Sequence, residues 1–124
     1  MKVLVVDDYS TMRRIIRNLL GQIGYTDVEE ADNGDSAFEK LKAEPFGLVI
    51  SDWNMEPVSG YELLQRVRAD DTLKSTPFIM VTAESKTENV IAAKKAGVDN
   101  YIVKPFNAAT LEAKINSVLP GKAA

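Results

Sequence analysis

The chain has 124 residues, 45% of them hydrophobic and 27% charged, which suits one domain and leaves no room for a second. It contains no Cys and no His, so disulfides, thiolate redox chemistry, imidazole metal sites and His-based triads are excluded. A formal charge of -3 argues against nucleic-acid binding through a field of Lys and Arg, and the first apolar run stops at Asp7-Asp8, far short of a signal or membrane segment.

From the N-terminus, short β-branched or apolar runs recur at Val3–Val6, Val28–Ala31, Leu48–Ser51, Phe78–Val81 and Tyr101–Val103, each followed by polar residues and then a helical pattern. Several are apolar at consecutive positions, as expected of parallel strands covered on both faces. The first helix carries Met12, Ile15, Ile16, Leu19, Leu20 and Ile23 as one apolar stripe and ends at Gly24, a C-terminal cap. Ala37, Phe38 and Leu41 mark a second helix. Leu63, Leu64 and Val67 mark a third, which opens with the capping box Ser59-x-x-Glu62. Ser85-x-x-Glu88 opens a fourth carrying Val90, Ile91, Ala93 and Ala96 before Gly97, and Asn107 caps a fifth carrying Leu111, Ile115, Val118 and Leu119. Residues 120–124 read as a frayed tail.

Five βα units therefore fill residues 1–124 as one α/β domain, and right-handed crossovers leave few topologies. A doubly wound sheet of five parallel strands is the natural arrangement. Its flavodoxin-like order 2-1-3-4-5, a known pattern rather than a deduction from these residues, sets strands 1 and 3 side by side at the switch point where ligands bind.

At the carboxyl ends of the strands stand Asp7-Asp8, Asp52, Thr82 and Lys104-Pro105. An Asp after a strand is commonly just the cap of the next helix. Three carboxylates converging on one edge are more than capping requires, and they repel one another unless a cation or a raised pKa relieves them. An all-oxygen, carboxylate-rich site suits Mg²⁺ together with a phosphate. The Lys104 ammonium and the Thr82 hydroxyl are placed to hold further phosphate oxygens, although a structural ion pair and a strand-end cap also account for them.

With Val5-Val6-Asp7-Asp8, Ser51-Asp52-Trp53-Asn54-Met55, Val81-Thr82-Ala83-Glu84 and Lys104-Pro105-Phe106, nearly the whole chain resembles a receiver domain of the two-component response regulators, most closely the stand-alone chemotaxis kind. The resemblance implies a non-enzyme switch that catalyses only phosphoryl transfer to itself and its own dephosphorylation. It implies Asp52 as phosphoacceptor, Mg²⁺ bound by Asp8, Asp52 and the backbone carbonyl of Asn54, and Asp7 acting through water. Thr82 and Lys104 would read the phosphoryl group, Tyr101 would be the aromatic switch, and Lys104-Pro105 would be a cis peptide. The implied partners are a histidine kinase as donor and a target docking on the face of helix 4, strand 5 and helix 5, a flagellar motor switch among the candidates. The protein is expected to be cytoplasmic and monomeric, with no nucleic-acid or membrane partner. Which kinase and target it serves, and how long the phosphoryl group lasts, the sequence leaves open.

One departure stands out. Receivers of this kind usually follow the Met of the acceptor loop with Pro, whereas Met55 is followed by Glu56 and only then Pro57; the spacing from Asp52 to Gly60 is expected to survive. Three rival readings fare worse. A phosphatase of the haloacid-dehalogenase type wants Asp-x-Asp and a substrate cap, a flavin phosphate would be repelled by Asp7-Asp8, and a degenerate scaffold would lack part of the acid set. P-loop and G-x-G-x-x-G motifs are absent. Arg13, Arg14 and Arg17 read as a solvated face offset by Glu29, Glu30 and Asp32, and Trp53 as a packing wall. Tyr101, Phe106 and Val90 are expected on the signalling face.

Overall fold

The computed structural model describes residues 1–82 and 87–119. Ten elements alternate: β1 (Val3–Val6), α1 (Ser10–Gln22), β2 (Val28–Ala31), α2 (Gly34–Ala43), β3 (Leu48–Asp52), α3 (Gly60–Ala69), β4 (Phe78–Thr82), α4 (Thr87–Lys95), β5 (Asn100–Val103) and α5 (Ala108–Val118). The five strands form one parallel sheet in the order β2-β1-β3-β4-β5, the expected doubly wound arrangement. Strand ends run slightly further than the apolar runs alone suggest: Asp52 and Thr82 are the last residues of β3 and β4, and Asn100 opens β5. Polar side chains at a strand end still leave their main-chain groups to the ladder.

Alternation along each strand divides the core into two layers. Val3 and Val5 of β1, Leu48 and Ile50 of β3, and Ile79 and Val81 of β4 pack with Ile16 and Leu20 of α1 and Leu111 and Ile115 of α5. Leu4, Val6, Val49, Phe78 and Met80 face the other way, onto Ala37 and Leu41 of α2 and Leu63, Leu64 and Val67 of α3. Because β1, β3 and β4 are covered on both faces, their runs need no polar alternation. The α1 stripe is narrower than its spacing suggests: Ile15 is 45% exposed, as is Ile91 of α4 at 48%. Each sits on a helix flank, where an i+3/i+4 pattern cannot distinguish core from rim.

Helix ends obey local chemistry. Asn33, Ser59 and Asn107 each accept a main-chain N–H of the first turn through their side-chain oxygen, as capping requires. At the end of α1, Gly24 takes φ 98° and the N–H groups of Gly24 and Tyr25 donate to the carbonyls of Gly21 and Leu20. Gly97 repeats this after α4, with φ 94° and bonds to Lys94 and Ala93. The Ser85 cap and the 120–124 tail lie outside the described residues. Arg68 of α3 ties the loops at the end of the sheet away from the acids, donating to the carbonyls of Gly97, Lys74 and Thr76 and to the Asp99 carboxylate.

Candidate functional site

The parallel register places β1 beside β3, with Val6 opposite Ser51, so the residues that follow each strand emerge together. Asp7, Asp8 and Asp52 each offer a carboxylate oxygen, and these oxygens lie within 4.8 Å of one another. Asp7 is wholly buried, Asp52 is 8% exposed and Asp8 is open to solvent. Opposite them, the Lys104 ammonium sits 3.0 Å from Asp52 Oδ1 and 3.7 Å from Asp7 Oδ2. Lys104 is delivered there because its N–H donates to the Thr82 carbonyl, joining the segment after β5 to the end of β4, and its bond to Pro105 is cis.

The capping explanation for Asp7 does not fit this geometry. The residue capping α1 is Tyr9, which makes no side-chain cap, while Asp7 Oδ1 accepts the Tyr9 N–H in a two-residue turn at 2.9 Å. Asp7 Oδ2 is buried and has no hydrogen-bond partner. Burial first, then the negative charge of Asp52, pushes the Asp7 carboxyl above its ordinary range, against the opposing pull of the Tyr9 N–H and Lys104. A buried carboxylate oxygen with no hydrogen bond, beside two other carboxylates, fits a hard cation, which would satisfy the oxygen and offset the repulsion together.

The loop after β3 is built tightly around Asp52. The Trp53 N–H donates to the Val81 carbonyl, the Gly60 N–H to the Trp53 carbonyl, and the Gly34 N–H to the Val58 carbonyl. A Cβ on Gly60 would overlap the Asp52 carbonyl oxygen and press on Met80 Sδ, so the spacing of eight residues from Asp52 to Gly60 is sterically enforced. Glu56 and Pro57 lie within that eight-residue spacing, and the Glu56-Pro57 bond is also cis. Trp53 packs against the second core layer and stacks on Tyr61, centroids 5.3 Å apart, which makes it the packing wall expected.

Comparison with known proteins is decisive at this point: residues 3–116 match the model of the response regulator receiver domain. The chain belongs to that family. It is 51% identical to a chemotaxis protein, CheY-3, of Vibrio cholerae over 118 residues, covering 95% of this chain and 91% of that protein. It is 50% identical to the chemotaxis protein CheY of Pseudomonas aeruginosa, covering 95% of each. Among solved structures, the chemotaxis response regulator CheY4 of Vibrio cholerae superposes with a TM-score of 0.87 at 37% identity, over 95% of this chain and 98% of that one. A response regulator receiver protein of Pseudomonas putida gives 0.84 at 29% identity, over 93% and 94%.

In this receiver the residues singled out from sequence divide into two groups. Asp7, Asp8, Asp52 and Lys104 meet directly, and Asn54 lines an open pocket of about 370 Å³ with Asp8, Trp53, Met55, Glu56 and Ser59. Thr82 stands one strand over, half-buried at the end of β4, with its register partner Val103 on β5. Tyr101 lies further off on β5, half-buried against the second core layer, with the Lys114 ammonium 5.1 Å from its ring centre. Tyr101 and Phe106 line one groove of about 630 Å³ with Thr110 and Lys114, whereas Val90 is half-buried on α4 and is not among its lining residues. No described helix is long and apolar enough to cross a membrane.

The Arg cluster corrects the sequence reading. Arg14 is exposed as expected, but the Arg13 side chain is only 18% exposed and donates to the Asp7 carbonyl at 2.7 Å and to Glu30 at 2.8 Å. Glu30 also pairs with Arg17 at 2.7 Å. Glu30 stands beside Val5 in the β1–β2 register, so its charge faces the first turn of α1. Glu30 is thus the offset expected for Arg13 and Arg17, and the bond from Arg13 to the Asp7 carbonyl is what the sequence reading lacks.

Proposed function

We propose that this receiver is a single-domain switch spanning residues 1–124, phosphorylated on Asp52 by a histidine kinase and dependent on Mg²⁺. The observation that carries the reading is the buried Asp7 Oδ2, without a hydrogen-bond partner and set among two further carboxylates, with Lys104 against Asp52. Asp8, Asp52 and the Asn54 carbonyl would hold the ion directly and Asp7 through water. Bound there, the ion offsets the charge that otherwise repels an incoming phosphoryl group. An Asp52 carboxylate oxygen attacks phosphorus in line; the P–N bond of the donor phosphohistidine breaks, its electron pair returns to the imidazole, and an acyl phosphate P–O bond forms. Water later attacks the same phosphorus, the P–O bond to Asp52 breaks, inorganic phosphate leaves and the carboxylate is restored, so the only chemistry is on the chain itself. Lys104 moves its ammonium from Asp52 to a phosphoryl oxygen, and the Thr82 hydroxyl donates to another.

The message then leaves by binding. Drawing Thr82 toward the phosphoryl group vacates space at the end of β4, into which the Tyr101 ring turns, altering the face made by α4, β5 and α5 where a target docks. Likeness to chemotaxis proteins supports a target in that pathway, for which a flagellar motor switch is our candidate. The test is phosphate incorporation from acetyl phosphate with Mg²⁺ and with chelator, in wild type and Asp52→Asn. Incorporation confined to wild type with Mg²⁺ is expected; labelling that survives the substitution or the chelator overturns the assignment.

A further inference from the structure

The Asp7-Asp8 turn has one attachment that the acid cluster by itself does not explain. Asp7 is fixed on three sides by groups of its own neighbourhood: its N–H donates to the Ala31 carbonyl, its Oδ1 accepts the Tyr9 N–H, and its carbonyl accepts Arg13 Nη1 at 2.7 Å. That carbonyl belongs to the peptide joining Asp7 to Asp8, so whatever holds it sets the direction in which Asp8 leaves the main chain. An oxygen of the Asp8 carboxylate lies within 4.8 Å of those of Asp7 and Asp52, and among the described residues no other side chain bonds to it. Arg13 is itself immobilised. Its Nε donates to Glu30 Oε1 at 2.8 Å, while the other oxygen of Glu30 accepts Arg17 Nη1 at 2.7 Å.

We propose that Arg13 is a positioning residue for the metal site: its guanidinium spans Glu30 of β2 and the Asp7 carbonyl, and so locks the peptide that aims the Asp8 carboxylate. The inference rests on the Mg²⁺ reading above. A planar fork with separated donors is needed, because one nitrogen must reach Glu30 while another reaches the carbonyl. Lys offers the same charge from a single nitrogen and lacks the separate Nε and Nη1 donors that make these two bonds. Groups that orient a metal ligand without touching the ion typically cost about 10-fold or more in affinity when removed.

The test is Mg²⁺ binding by calorimetry, with thermal melts alongside, on wild type, Arg13→Ala, Arg13→Lys, Glu30→Ala and the Arg13→Ala/Glu30→Ala double variant. Arg13→Ala and Arg13→Lys are each expected to weaken Mg²⁺ binding by about 10-fold. Glu30→Ala should weaken it less, and the double variant no more than Arg13→Ala, because Glu30 acts through Arg13. Wild-type affinity in Arg13→Lys overturns the proposal, since charge alone would then suffice, as does a double variant whose losses multiply. Should Arg13→Ala fail to fold, Arg13→Lys decides by the same criterion, with weakened binding in Glu30→Ala as the supporting result. Absence of Mg²⁺ binding in wild type would instead overturn the metal reading, and this inference with it.

Discussion

Lys104 Nζ lies 3.0 Å from Asp52 Oδ1 and only 3.7 Å from Asp7 Oδ2, so one ammonium from the segment after β5 faces a carboxylate at the end of β3 and another just after β1. Among the described residues it is the only cation in ion-pair range of either acid, and its side chain is 21% exposed.

Replacing that cation should separate its two roles. Lys104→Ala leaves two poorly solvated carboxylates without their counter-charge, which costs toward the lower end of about 3–5 kcal/mol because Lys104 keeps some contact with water. Some Asp52 phosphorylation should persist in the variant while phosphate-dependent target binding falls, as measured by titrating the target with and without a phosphoryl mimic. Wild-type target affinity in phosphorylated Lys104→Ala would make Lys104 a structural partner alone.

Asp7→Asn removes a buried charge from a site that holds three, and its amide can donate where Asp7 Oδ2 finds no donor. The variant should be more stable than wild type in metal-free buffer by about 1–3 kcal/mol. Added Mg²⁺ should raise the melting temperature of wild type more than that of the variant, since a ligand stabilises in proportion to its affinity for the folded state. Equal shifts in differential scanning calorimetry would place the ion elsewhere.

Gly60→Ala sets two effects against each other. Ala is better than Gly inside a helix by about 1 kcal/mol, but at the start of α3 the new Cβ meets the Asp52 carbonyl oxygen and Met80 Sδ. Backbone cannot yield there without moving the acceptor, so a net loss of about 1–3 kcal/mol is expected, together with slower phosphorylation. Gains in denaturant midpoint would show that the loop accommodates the methyl group.

Acid sensitivity should have a component far from the site. Asp70 accepts from Lys42 Nζ at 2.7 Å and from the Thr72 hydroxyl and N–H, and these bonds, the Lys42 one foremost, hold its carboxyl well below the usual range. A carboxyl depressed in the folded state contributes stability that is present above its unfolded pKa of about 3.9 and is lost as pH falls through the folded value. Asp70→Asn should therefore be less stable than wild type near neutrality, and the difference should shrink below about pH 4. Parallel stability curves across that range in urea titrations would show that the Lys42 and Thr72 bonds do not discriminate the charged form.

Much of this was legible from residue order, and for a physical reason. Buried parallel strands must be continuous apolar runs, so Val3–Val6 and Phe78–Val81 announce themselves; caps such as Ser59 and Asn107 act within one turn, and Gly24 and Gly97 are needed wherever the chain takes a positive φ. Because crossover handedness leaves so few sheets, the same runs also foretell that Asp7, Asp8, Asp52 and Lys104 share an edge. What no local pattern carries is the set of contacts between residues distant in sequence. Ile15 and Ile16 differ in burial only through what α1 meets, and Asp7 Oδ2 is orphaned only because β3 and the segment after β5 close over it. Arg13 joins the Asp7 carbonyl rather than solvent because β2 brings Glu30 alongside. Residue type and period determined the elements and the chemistry on offer, while strand register, which exists only in the folded sheet, decided which charges face each other and which oxygen is left without a partner.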